Sequence, residues 1–395
     1  MAAVASGNIA EVQRLLKLMR TGGSAERDSG AQRNLAEAVK EGQFQQLAQM
    51  LESKADANAT DDDGMTALHF ASAYDQLQPA KLLIEAKAKL NICNHDGATP
   101  FMVAVQYSST ACLQLLLASK ASVESRVGNG HAGGGGGGSF NDDSPLIIAA
   151  RSDAISSATL LLRHKADPSY RGKKAKGTAL LVACANNSSQ VCSAILEAKA
   201  DLNVTDDQGD SAVAIAARME AVECMKTLLS HKASPDYPAN INGSSDPPVL
   251  VAVTHQSKRC FDLLIAARAD LNAQNKKGDT PLTVACLSSQ PLARRLIEAK
   301  ADVNKANSDG DTPLMLCMMY NAHDTAKLLV EAKADVNLKN NAGQTASDIS
   351  SQVSLTNSSQ GDLLVKVREA HARGDLDEAK ELMKNWKEMR GVFES

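Results

Sequence analysis

Apolar residues recur along this chain in two linked patterns. The first is an apolar pair three and four residues before a basic residue. Met50/Leu51 precede Lys54, Leu83/Ile84 precede Lys87, and Leu116/Leu117 precede Lys120. The series runs on through Lys165, Lys199, Lys232, Arg268 and Lys300 to Leu329/Val330 before Lys333. The steps between these nine basic residues are 33, 33, 45, 34, 33, 36, 32 and 33. The second pattern keeps the same phase: TALHFA from Thr66, TPFMVA from Thr99, SPLIIA from Ser144, TALLVA from Thr178, with equivalents from Ser211, Pro247, Thr280, Thr312 and Thr345. A Thr or Ser N-cap, often followed by Pro where the missing N–H costs nothing, predicts a first helix. Its third and sixth residues share a face at i, i+3 spacing. The apolar pair predicts a second helix after a short turn. A single helix pair cannot bury these faces, whereas stacked neighbours bury them continuously. The expected fold class is all-α, a solenoid of helix–turn–helix units.

Each second helix runs into a short block: KADAN at 54, KADLN at 199, KADVN at 300 and again at 333. A period near 33 joined to T-P-L-H-x-A and A-D-V-N resembles the ankyrin repeat. The likeness covers residues 33–349, with Thr66–Ala71 and Asp309–Leu314 the nearest matches. It implies an ankyrin-repeat solenoid of about nine repeats with β-turn fingers. It also implies a structural hydrogen bond from His69 between fingers, and a protein partner held on the concave surface of finger tips and first-helix edges. The chain departs from the family at the residue before Ala-Asp, which is usually Gly and here is always basic. Gly would ease a left-handed C-cap. A cation at a helix C-terminus instead favours the macrodipole by ~0.3–1 kcal/mol. Glu52, Glu85, Glu197, Glu298 and Glu331 dilute the resulting basic row.

The pattern divides the chain into three parts. Residues 1–32 are expected to form a degenerate N-terminal capping repeat, since Gly7 and Gly42 stand 35 apart. Residues 33–349 form the array, interrupted at 125–143 by an insertion with six consecutive glycines that should stay flexible. Residues 350–395 are expected to form a C-terminal helical cap. Its second helix presents Leu376, Ala379, Leu382, Met383 and Trp386 on one face, which also suits a partner helix.

Composition narrows the function. Aromatics make up only 3% of the chain against 44% apolar residues, so the core must be built from Ala, Leu, Val and Ile. A net charge of −4 argues against bulk nucleic-acid binding. No apolar run reaches the ~18 residues of a membrane span. The start, MAAVASGNIAEVQRLLKLMR, has no signal-peptide pattern, so a cytoplasmic location with reduced cysteines is expected.

No catalytic constellation emerges. Gly128–Gly133 matches GxGxxG, but five more glycines follow it, and the motif needs a strand before it and a helix opening after it. The run from Gly172 to Thr178 nearly matches a phosphate-binding loop, but lacks Lys directly before Thr178, itself a helix cap. Cys112, Cys224 and Cys260 share one second-helix position and read as small core hydrophobes. The expectation is therefore no enzyme, no metal and no cofactor.

Tyrosine supplies the clearest binding signal. The position eight after the cap holds Tyr74, Tyr107, Met219, His255 and Tyr320, including three of only five tyrosines. Tyr is a common hot-spot residue, with an apolar body and a polar tip. Finger tips add Asp62, Asp63, Lys174, Lys276 and Lys277, so the groove should begin acidic and turn basic in its middle. The function expected is a non-catalytic scaffold or adaptor binding one protein partner as a monomer. A regulatory or inhibitory subunit of an enzyme is the alternative.

Overall fold

The computed structural model describes residues 35–123, 143–173, 175–237 and 246–355. The capping repeat expected over 1–32, the glycine tract, Lys174 and everything after Leu355 lie outside the described residues. The chain divides into two compact units, Met1–Asp201 and Leu202–Ser395.

In the first unit five helix pairs follow one another. They are α1 (Leu35–Lys40) with α2 (Phe44–Glu52), α3 (Ala67–Ala73) with α4 (Leu77–Glu85), and α5 (Pro100–Gln106) with α6 (Thr110–Ala118). Then come α7 (Pro145–Arg151) with α8 (Ile155–Arg163), and α9 (Ala179–Ala185) with α10 (Ser189–Glu197). First helices pack on first helices and second on second, each pair resting on the next. The second unit repeats this with α11 (Ala212–Arg218) and α12 (Val222–Ser230), then α13 (Pro248–Thr254) and α14 (Lys258–Ala266). It continues with α15 (Pro281–Ser288) and α16 (Gln290–Glu298), α17 (Pro313–Met319) and α18 (His323–Glu331), and a lone α19 (Ala346–Leu355). Among the described residues there are no β-strands. Isolated antiparallel bridges at Thr60–Thr66, Gly172–Gly177 and Thr205–Ser211 close three of the fingers. The chain is an all-α repeat solenoid.

The helices start where the sequence places their caps. Side-chain oxygens of Thr66, Thr99, Ser144, Ser211, Thr280 and Thr312 accept the backbone N–H three residues on. Thr178 departs from this, its hydroxyl being buried without a hydrogen-bond partner. The first helices are short and nearly wholly buried, and Ala71, Ala104, Ala183 and Ala252 have no exposed surface, so neighbouring helices approach closely. On the second helices Leu83, Leu116 and Leu161 are fully buried. Each such side chain contributes ~1.5–3 kcal/mol.

The nine described second helices all end alike. The basic residue from Lys54 to Lys333 sits at φ between 61° and 70°, in the left-handed region. At the first of them Lys54 N–H donates to Leu51 O at 3.0 Å, and Ala55 N–H donates to Met50 O at 3.0 Å. This is the Schellman pair of bonds, made here with a lysine where glycine carries no steric cost.

One repeat is short. In seven units the residue nine after the cap, from Asp75 to Asn321, has φ of 49–57° and turns the chain into the second helix. The step of 32 removes a residue at this turn. Accordingly α15 runs on to Ser288, and Ser289 is extended at φ −159°. A cavity of about 360 Å³ opens beside it, lined by Cys286, Ser288, Ser289, Tyr320, His323 and Asp324.

Candidate interaction surface

Finger tips and first-helix ends lie on one edge of each unit. In the first unit the finger at 61–65 is folded by Asp61, whose Oδ1 accepts the N–H groups of Asp63 at 3.1 Å and Met65 at 2.8 Å. That leaves Asp62 and Asp63 exposed at the tip. The next finger is tied on by His95 N–H donating to Asp63 O at 2.9 Å. Lys40 reaches Asp61 at 3.4 Å and lies 3.9 Å from the centroid of the Phe70 ring. Tyr107 is 38% exposed, and partial burial raises its hydroxyl pKa, so it stays a neutral donor. Tyr74 is half-buried. Asp75 beside it accepts Cys112 N–H at 2.8 Å, which caps the following α6.

Beyond the insertion, Asp143 is fully buried and ion-paired with Arg151 at the other end of α7. Asp143 Oδ1 also accepts Ala175 N–H at 3.2 Å. Gly172 and Gly177, the ends of the phosphate-loop near miss, are spaced for packing. A Cβ on Gly172 would lie 2.3 Å from Asp143 Oδ1, and one on Gly177 would lie 2.9 Å from Leu181 Cδ1. Lys173 is exposed on this finger.

In the second unit the same edge carries a charged network. Asp210 pairs with Arg218 across α11. Burial raises the Asp246 carboxyl pKa, while Lys277, Asn275, Arg218 and His255 pull it back. His255 is pushed down by partial burial and by Arg218, against the attraction of Asp246. Lys276 is exposed, whereas Lys277 is half-buried and faces Asp246. The basic middle expected from Lys276 and Lys277 is thus partly neutralised from the same face. Met219 is 53% exposed. Tyr320 is half-buried, and its hydroxyl pKa is strongly raised by burial and by the carboxylates of Asp311 and Asp279.

The sequence reading missed these acid–base pairs. Their signal was an Asp immediately before the cap (Asp143, Asp210, Asp246, Asp279, Asp311) with Arg eight residues after that Asp in two repeats, Arg151 and Arg218. The buried cysteines behave as core residues. Burial and Asp75 raise the Cys112 thiol to about 12, and it donates to Ala71 O at 3.3 Å. Burial raises Cys260 to about 11. Neither is a thiolate at neutral pH. Among the described residues no helix is long and apolar enough to cross a membrane.

Comparison with known proteins agrees with this architecture. A family model described as ankyrin repeats matches three times, over residues 35–127, 146–239 and 249–340. The chain belongs to the ankyrin repeat family, whose repeats are protein–protein interaction modules. It is similar to the nuclear factor NF-kappa-B p105 subunit of Gallus gallus, 33% identical over 109 residues, which is 27% of this chain and 11% of that protein. The match thus spans about a tenth of that relative's length. Among solved structures the human ASB11 ankyrin repeat domain aligns with TM-score 0.50 and 23% identity, over 59% of this chain and 96% of that one. The ankyrin repeat domain of Bcl-3, a member of the IkappaB protein family, aligns with TM-score 0.49 and 22% identity, over 52% of this chain and 93% of that one.

Proposed function

We propose that this chain is a non-catalytic adaptor that binds a protein partner along the edge of finger tips and first-helix ends, the concave side in its family. One observation carries the reading. Of the five large apolar residues exposed among those described, two, Tyr107 and Met219, occupy the same register, eight after the cap. They fall one in each unit. Phe44, Val330 and Val336 belong instead to the first and last described repeats. Apolar side chains exposed at a repeated place are what a partner would cover. Around them Asp62, Asp63 and Lys276 are exposed charges able to select it, and His255 joins them in the second unit. Lys174 is assigned to the same edge from its place in the sequence.

The partner is read as protein rather than nucleic acid or membrane, because carboxylates and cations alternate here and no aromatic platform is interleaved with a basic row. The chain is read as a cytoplasmic monomer, with 1–32 and 350–395 as its caps. The test starts from a stoichiometric partner recovered with the full chain and purified. Tyr107→Ala and Met219→Ala should each weaken its binding about fivefold or more, as hot-spot truncation costs ~1 kcal/mol or more. Unchanged affinity in both variants would remove this edge as the site.

A further inference from the structure

The last described repeat of the second unit carries an exposed apolar face. The apolar residue three before the basic C-cap is half-buried or buried in the eight earlier repeats, from Leu51 to Ile297. In the ninth it is Val330, and it is 52% exposed. The residue three after the basic position behaves the same way. It is covered from Ala57 to Val303, then 47% exposed at Val336. The cause is visible in the packing. The second helix α16 rests against α18, but no described second helix rests against α18 in turn. The first-helix row does continue. Helix α19 packs on α17, Ile349 is 4% exposed, and Thr345 and Asp348 cap it reciprocally. Among the described residues a tenth unit therefore has its first helix but no second.

The chain supplies a candidate of matching pattern. Forty residues follow Leu355. Within them Asp377-Glu-Ala379-Lys380-Glu-Leu382-Met383 repeats the spacing of Asp324-Thr-Ala326-Lys327-Leu-Leu329-Val330 in α18. Ala326 and Leu329 are, with Thr325, the buried side chains of that helix. Gly374 stands where Gly42 turns α1 into α2. On helical spacing Leu376, Ala379, Leu382, Met383 and Trp386 share an apolar face, and the remaining positions are mostly charged. Repeat arrays need such a terminal unit, with one apolar and one polar face, to stay soluble. We propose that residues 376–386 form the second helix that packs on α18, covering Val330 and Val336. The C-terminal segment is then a built-in cap rather than a recognition helix for a partner.

Trp386 is the only tryptophan of the chain and reports on this contact directly. In the full-length protein its emission should be blue-shifted, and acrylamide should quench it at least twofold less than in the urea-unfolded chain. Val330→Lys with Val336→Lys changes two exposed positions, so the array should keep its circular dichroism. In that variant the emission should move to the red and the quenching should rise toward the unfolded value, while Val330→Ile should leave both unchanged. Three results would overturn the proposal. Trp386 in the native chain is as quenchable as in urea, or the double lysine variant leaves its shielding intact, or the shielding disappears on dilution. The last would show that a second copy covers the face.

Discussion

The imidazole Nε2 of His69 lies 3.0 Å from the carbonyl oxygen of Ala98, so the first helix of one repeat holds the finger of the next. The same ring's Nδ1 lies 3.0 Å from Thr66 N. A backbone N–H can only donate, so Nδ1 accepts and Nε2 carries the proton that Ala98 receives. One neutral ring thereby closes its own helix cap and bonds across to the following unit.

Protonation breaks this arrangement. Burial lowers the His69 pKa from its usual 6.5 to about 4. Between those values the unfolded chain binds the proton first, so stability rises with pH. The contribution of His69 is complete above about pH 6.5 and is lost as pH falls through the window, by about 3 kcal/mol in all. Urea unfolding from pH 7 to pH 4 should show this slope, and His69→Gln should flatten it. An unchanged slope in the variant contradicts the assignment.

The nine left-handed basic residues predict an unusual gain. Lys300 has φ 70°, where an L-residue is strained by ~1–2 kcal/mol and Gly is not. Gly also costs chain entropy on folding, which offsets part of the relief. Lys300→Gly should therefore raise stability by about 0.5–1 kcal/mol, whereas Lys300→Ala should give no gain. A lower urea midpoint for the glycine variant would show that the lysine side chain holds the turn.

Asp143 is buried and Arg151 is only partly exposed. Removing the cation leaves a carboxylate without its charge partner, and Arg151→Ala should cost about 2–3 kcal/mol. Replacing Asp143 together with Arg151 by Asn and Met should cost less than the single change. Single-variant losses that simply add in the double variant would mean that the pair is not coupled.

The three tyrosines of one sequence column should separate. Tyr107 is exposed, so Tyr107→Ala should move stability by about 0.5 kcal/mol or less and act on binding. Tyr320 is half-buried beside Asp311, so Tyr320→Ala should lower stability by about 2 kcal/mol. Thermal melts of both variants check this, and equal shifts would contradict it.

The repeat was legible because its apolar spacing, caps and turns all repeat in phase, and each local choice agrees with the stacked fold. The nearly fully buried first helices follow directly from TPLTVA and its relatives. The charge of the interaction edge was less legible. Lys277 reads as a free finger tip in sequence, but folding sets it against Asp246, 31 residues earlier in the chain. Likewise Tyr74 and Tyr107 share a register, yet only Tyr107 is exposed, because exposure depends on what the neighbouring repeat brings. The single-residue shortening at Ser289 shows in the step of 32, but the cavity it opens does not.

The interaction edge itself is tested most directly by site-specific photocrosslinking in cells. A photoreactive side chain would be placed in the full chain at Tyr107, Met219 or His255. The controls are Arg163, Lys226 and Arg259, which are exposed on second helices. One protein partner should crosslink from the first three positions and not from the controls. The same partner captured from Arg163, Lys226 or Arg259, with nothing captured from Tyr107 and Met219, would contradict the account.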